Sequence, residues 1–212
     1  TRYGSSAASD VYKRQGWCYP WTIPMLNGRT ICLRNIDIKK IFELIDKYDV
    51  THFGGAPIVL NMITGAPEAD RKKLKNKVYV LTAGAPPPSI IFKKMKALGF
   101  EVMHVYGLTE TYGHVTQCAW NDEWNDFDED KQNEIKARQG VRYPNTEGVT
   151  ILDPETMKEV PKDGKTIGEI MIRGNVVMKG YFKDKDATDK AMKGGWFHTG
   201  ELAVMHPDGS VK

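Results

Sequence analysis

An α/β fold is predicted, a parallel sheet with flanking helices followed by a small β-rich subdomain, and three observations predict it. Between residues 37 and 105 three short apolar runs alternate with amphipathic helical patterns. Each run is followed within a few residues by glycine: Gly54-Gly55, Gly84 and Gly107. From Val141 onward the pattern becomes strand-like runs separated by turn residues. Strand, helix, strand, helix, strand is the signature of a parallel sheet with right-handed crossovers.

The elements follow in order. Residues 1–15 carry no helical or strand period, so they read as a disordered or artefactual leader outside the fold. Asp37 can cap a helix whose apolar positions Ile38, Ile41, Phe42 and Ile45 fall on one face. Val50–Phe53 reads as a buried strand. Pro57 opens a helix continuing through Ile58–Ile63 to Gly65. The basic stretch Arg71–Lys77, best read as a solvated face, leads into the strand Val78–Leu81. Gly84-Ala85-Pro86-Pro87-Pro88 turns the chain into an amphipathic helix, Ser89–Leu98, stopped by Gly99. Glu101–Val105 is the third strand.

Seven acids between residues 121 and 134, set against Lys131, read as a surface loop, with metal binding a poor second choice. Val149–Leu152, Ile167–Arg173 and Leu202–Met205 are strand-like. His206-Pro207-Asp208-Gly209 is a β-turn whose return arm has only three residues, too short to pair well. The expected organisation is a leader over 1–15, an α/β subdomain over 16–140 and a truncated β-rich subdomain over 141–212. With its short last arm, the chain reads as an internal fragment.

Composition excludes several classes. Thirty Lys and Arg against 27 Asp and Glu leave a net charge of +3, too balanced to argue for a nucleic-acid partner. A mean hydropathy of −0.46 and the lack of a long uncharged apolar run argue against a membrane span. Three widely spaced cysteines form neither a disulfide framework nor a zinc knuckle, and no secretory signal opens the chain. A cytoplasmic location is expected.

All three α/β strands run the same way, so their glycine-bearing ends share one edge. Ligands of open α/β sheets bind just outside the carboxyl ends of the strands. Three strings fall at or after that edge: Leu81-Thr82-Ala83-Gly84-Ala85-Pro86-Pro87, Val105-Tyr106-Gly107-Leu108-Thr109-Glu110-Thr111, and Gly168-Glu169-Ile170-Met171-Ile172-Arg173-Gly174. Gly194-Gly195-Trp196-Phe197-His198-Thr199-Gly200-Glu201-Leu202 completes the set. In this order they resemble the adenylate-forming superfamily over about residues 16–212. Gly16-Trp17-Cys18-Tyr19-Pro20-Trp21, Thr51–Pro57 and Asn175–Tyr181 look most like its AMP-forming acyl-CoA synthetase branch. That branch includes methylmercaptopropionate-CoA ligases and plant acyl-activating enzymes.

The resemblance implies a reaction in two halves. A carboxylic acid attacks the α-phosphate of ATP to give an acyl-adenylate and pyrophosphate, and the thiol of CoA then displaces AMP. By resemblance Thr109 bonds the α-phosphate and Glu110 offers an oxygen to Mg²⁺, which takes one or two carboxylates plus phosphate oxygens. Alone, a Thr before an acid reads equally as a helix start. Tyr106 is the adenine-stacking candidate by the same resemblance, with a core aromatic as the plainer alternative. Gly84, Ala85 and Pro86 would line the adenine and acyl pocket, and Gly107 would flank the acyl group. Trp17 and His52 are the leading acyl-side candidates, ahead of Trp21 and Phe53, although such residues are more often plain core.

Glu201 departs from the family, which usually carries Asp there to take the ribose hydroxyls. The extra methylene is expected to weaken the grip on nucleotide. Ser210 stands where relatives tend to carry an aromatic residue. The family's Ser/Thr/Gly-rich phosphate loop ending in Lys-Gly and its C-terminal lysine domain have no counterpart in these 212 residues. The parent protein is therefore expected to be a ligase and the isolated chain inactive. The alternatives are an adenylation domain that loads a carrier protein and a non-catalytic nucleotide-binding relic.

Overall fold

The computed structural model describes residues 19–85 and 87–212. The leader 1–15, Trp17 and Pro86 lie outside the described residues. The chain divides into two compact units, Thr1–Val105 with Trp120–Ala137, and Tyr106–Ala119 with Arg138–Lys212.

In the first unit, helix α1 (Tyr19–Met25) is followed by α2 (Ile38–Tyr48), β1 (His52–Gly54), α3 (Pro57–Gly65), β2 (Val78–Ala83) and α4 (Ser89–Ala97). Strand β3 (Phe100–Leu108) runs on into the second unit. Asp37 caps α2 by accepting the Lys40 amide at 2.9 Å, and Ile41, Phe42 and Ile45 turn inward as their spacing requires. β1 pairs parallel with β2, and β2 with β3 from Val78 opposite Phe100 to Ala83 opposite Val105. The expected parallel sheet is therefore present. Its core is closed by Phe42, Phe53, Leu60, Ile63, Met95 and Phe100. Phe53 meets Phe100 edge to face at 5.9 Å, so it is a core residue.

The acidic segment is more ordered than the sequence suggests. Asp122–Asp126 forms a 3₁₀ turn, and Glu129–Lys136 forms α5. Asp128 caps this helix through the Lys131 amide at 2.8 Å; Glu129 and Asp130 occupy its first turn and Lys136 its last. The acids therefore sit where the helix dipole favours negative charge. Glu129 also pairs with Lys93 of α4 at 3.0 Å, and Lys136 pairs with Glu101. No group of three His, Cys, Asp or Glu suited to a metal ion occurs among the described residues.

The second unit holds the end of β3, β4 (Gly113–Gln117) and β5 (Val141–Arg142), which pairs antiparallel with β4. A separate antiparallel sheet contains β6 (Gly148–Leu152), β7 (Gly168–Arg173) and β8 (Phe197–Ala203), with α6 (Lys185–Ala191) preceding β8. Its core gathers Val115, Ile151, Ile170, Ile172 and Phe197. β8 starts five residues earlier than its apolar run indicates, because His198–Glu201 carries polar side chains through the strand.

The short C-terminal arm pairs, contrary to expectation. Val211 bridges to both Met205 and Gly140, and the Val204 and Lys212 amides exchange hydrogen bonds. Ser210 helps to hold the arm. It is buried, its hydroxyl donates to Asp208 Oδ1 at 2.6 Å, and its oxygen accepts Arg138 Nη1 at 3.0 Å. Arg138, also buried, reaches Asp208 Oδ2 at 3.1 Å. A polar clasp thus ties the arm to Arg138.

Carboxyls held below their usual range add to the acid sensitivity of the second unit. Partial burial pushes the Asp208 carboxyl up, but the Ser210 hydroxyl and amide and the Arg138 and His206 charges together hold it below the usual range. The Thr166 amide and hydroxyl and the Lys165 amide hold Asp163 down to about 2. A carboxyl with a depressed folded value contributes stability that is present above its unfolded value of about 3.9 and lost as pH falls through the folded value. Stability is expected to decline from about pH 4 toward pH 2. Carboxyl-carbon NMR should show Asp163 titrating near 2; a midpoint close to 3.9 would contradict the geometry.

Candidate functional site

The strand-end loops are built differently, and each explains its own glycine. Gly84 follows β2 with φ +105, and a Cβ there would meet nothing within 4 Å. Its glycine identity answers to backbone angle, and the space beside it is open. Ala85 next to it is exposed. Gly107, inside β3, is glycine for another reason: a Cβ would lie 1.9 Å from the Gly113 carbonyl oxygen. That contact belongs to the close approach of β4.

β3 extends through Leu108, so Tyr106-Gly107 is strand and Thr109–Thr111 forms a 3₁₀ turn. Thr111, within the Tyr106–Thr111 string, closes this turn. It is 1% exposed; its hydroxyl oxygen accepts the Leu108 amide at 2.9 Å and lies 2.9 Å from the Gly113 carbonyl. The next residues, Tyr112 and Gly113, take positive φ and turn the chain into β4. The turn leaves Thr109 exposed and Glu110 half-buried. The Met178 amide donates to the Glu110 carbonyl at 2.6 Å, and the Tyr181 hydroxyl donates to Glu110 Oε1 at 3.1 Å. Burial, then the Glu110 carboxylate, pushes the Tyr181 phenol up, which keeps it the donor. Tyr181 is itself tied to Thr188 of α6 through its amide at 2.9 Å. A tyrosine 71 residues from Glu110 in sequence gives no local signal.

Tyr106 is 5% exposed and packs in the second unit's core. In the same unit Glu201 is exposed on β8, between Gly200 (φ +72) and Leu202. Its amide donates to Thr199 Oγ1 at 3.1 Å, and the Thr199 hydroxyl donates to the Ile170 carbonyl at 2.8 Å.

His52 sits elsewhere on the first unit's sheet. It lies opposite Tyr79, four residues and about 13 Å of strand from Ala83. Its ring stacks on Tyr79 at 5.1 Å, and burial pushes its imidazole below the usual range. The structure thus places His52 away from the loop at Gly84. Trp21 on α1 is 65% exposed.

Mg²⁺ suits what Glu110 presents: a hard carboxylate with one oxygen engaged by Tyr181 and none of the described hydrogen bonds on the other. A single protein carboxylate is enough for an ion that completes its shell with water and phosphate oxygens.

The fold has solved counterparts. The N-terminal domain of FACL13 from Mycobacterium tuberculosis superposes with a TM-score of 0.82 at 23% identity, covering 99% of this chain and 50% of that one. O-succinylbenzoate coenzyme A synthetase from Bacillus subtilis, solved with ATP and magnesium, gives 0.78 at 19% identity, covering 99% and 40%. At such identities the likeness defines the fold: that of the N-terminal domain of adenylate-forming enzymes. Sequence likeness reaches further. The model of the AMP-binding enzyme family matches residues 7–182, and the chain belongs to that family. It is 50% identical over 204 residues to the peroxisomal acetate/butyrate–CoA ligase AAE7 of Arabidopsis thaliana. It is 51% identical over 204 residues to acetate–CoA ligase CCL3 of Humulus lupulus. Each match covers 95% of this chain and 36% of the relative, so the chain spans about a third of their length. No helix among the described residues is long and apolar enough to cross a membrane.

Proposed function

We propose that this chain carries nucleotide- and acyl-facing parts of an ATP-dependent, AMP-forming acyl-CoA ligase acting on short aliphatic carboxylic acids. The observation that carries this reading is the 50% identity over 204 residues to an acetate/butyrate–CoA ligase. The turn at Thr109-Glu110, which presents a hydroxyl and a half-free carboxylate, agrees with it.

In this reading Thr109 donates to the α-phosphate of ATP as negative charge gathers there, and Glu110, steadied by Tyr181, holds Mg²⁺. Bound Mg²⁺ supplies charge neutralisation that lets a carboxylate approach a phosphate. Gly84, Ala85 and Pro86 border the adenine, with Tyr106 the candidate to stack on it. Gly107 flanks the acyl group. Glu201 accepts the ribose hydroxyls. The partners are ATP, CoA and a carboxylic acid, and the reaction is placed in the cytoplasm.

The first test is binding. Calorimetry with AMP and with butyryl-sulfamoyl-adenosine, a stable acyl-adenylate mimic, should show both binding the chain, the mimic more tightly. Glu201→Asp should tighten AMP by about three- to tenfold, because the shorter arm matches a site built for two ribose hydroxyls. Equal affinities in the two proteins would remove Glu201 from the ribose. On the intact gene product, pyrophosphate release should favour acetate and butyrate over long or aromatic acids.

A further inference from the structure

The pairing of β7 with β8 breaks in one place. Glu169 lies opposite Leu202 and Met171 opposite His198, so Thr199, Gly200 and Glu201 together face the single residue Ile170. Such a bulge re-aims side chains out of the regular pleat. Side chains brace it on both sides. The Glu169 carboxylate, on a residue only 8% exposed, accepts the Gly200 amide through Oε1 at 2.7 Å. Its other oxygen, Oε2, lies 3.3 Å from His198 Nδ1, and His198 Nε2 lies 3.0 Å from the Lys193 carbonyl. On the far side the Thr199 hydroxyl spans from the Ile170 carbonyl to the Glu201 amide.

A carboxylate so removed from water is costly unless its oxygens are engaged. Here they are spent on holding a bulge at the surface, and Gly200 and Glu201 are the residues the bulge exposes. We propose that Glu169 is a positioning residue for the nucleotide's ribose: by fixing the Gly200 amide it sets the place from which Glu201 accepts the ribose hydroxyls. This rests on the reading of Glu201 given above. Glu169 itself touches no substrate.

The test compares Glu169→Ala with Glu169→Gln, using AMP and 2′,3′-dideoxy-AMP as probes of the full chain. Glu169→Ala is expected to weaken AMP about tenfold, since it removes a hydrogen bond to a charged acceptor, and to shift the Gly200 amide upfield in ¹⁵N-resolved NMR. It should leave dideoxy-AMP within about twofold, because that nucleotide lacks the hydroxyls Glu201 would hold. Glu169→Gln keeps a carbonyl oxygen for the Gly200 amide and should restore most of the AMP affinity. In a Glu201→Ala background, Glu169→Ala should no longer change AMP affinity, although it still lowers the melting temperature. Should Glu169→Ala fail to fold, Thr199→Val opens the same bulge from its other side and is expected to show the same loss confined to AMP. Equal weakening of both nucleotides, or an effect that survives in Glu201→Ala, would overturn the proposal alone. Failure of the unaltered chain to bind AMP would overturn the functional reading and this proposal with it.

Discussion

Gly107→Ala is expected to be the most damaging small substitution in the strand that leads to the Thr109-Glu110 turn. The added Cβ would stand 1.9 Å from the Gly113 carbonyl oxygen and 2.8 Å from His114 Cα. Both obstacles are backbone, so no side-chain rotamer change can relieve them, and β4 must move away from β3. Overpacking a core typically costs about 1–3 kcal/mol, and a clash with backbone belongs at or beyond the upper end. At about 2–4 °C per kcal/mol for a chain of this size, the melting temperature should fall by about 6–12 °C. Gly140→Ala should be at least as severe, since its Cβ meets the Gln117 oxygen at 2.0 Å and its φ is +81. Gly65→Ala is the control: it ends α3, nothing lies within 4 Å of the added atom, and it should be neutral or slightly stabilising. Circular-dichroism melts separate these cases. A Gly107→Ala melt within 2 °C or so of the unaltered chain would show that β4 does not pack as described.

The second large effect is chemical. In the intact enzyme, Glu110→Gln should lower acid-dependent pyrophosphate release by about 10²–10³-fold, the usual range for removing one preorganised electrostatic group from a transition state. Glutamine keeps an oxygen for the Tyr181 hydroxyl and leaves the backbone bond to Met178 intact, so stability should change by no more than about 0.5 kcal/mol. Thr109→Ala should cost about 10²-fold, and the double variant should fall short of the product because, in the proposed reading, both residues serve one transition state. Activity losses matched by equal losses of stability would mean that the turn is structural.

Much of the first unit was legible because its signals are local. Asp37 and the Ile41, Phe42, Ile45 spacing define α2, and apolar runs closed by glycine define the parallel strands. The acidic segment misled for a physical reason: its charges cap and complement a helix that draws on Lys93 and Glu101 from elsewhere, and a polar surface helix shows little period. β8 was read late because its first half is polar and bulged. The short last arm is hard to read from sequence because, beside its local pairing with Val204 and Met205, it relies on Gly140 and Arg138, about seventy residues earlier.

The site shows the same division. Thr109, Glu110 and Glu201 stood out because the strings that carry them are compact. Tyr181 and Glu169, which steady Glu110 and Gly200 from across the fold, are hidden by distance in sequence, whereas Thr111 stands in the same string and shows its part only once the turn is folded. Gly107 was singled out for the acyl group, and the structure adds a reason independent of any ligand: β4 needs the space.

The most direct test of the central claim is amide chemical-shift mapping of this chain with butyryl-sulfamoyl-adenosine in the presence of Mg²⁺. The account predicts saturable shifts concentrated at Gly84-Ala85, Tyr106–Glu110 and Gly200-Glu201. A saturating mimic that leaves those amides in place would contradict it, whether the shifts appear elsewhere or nowhere.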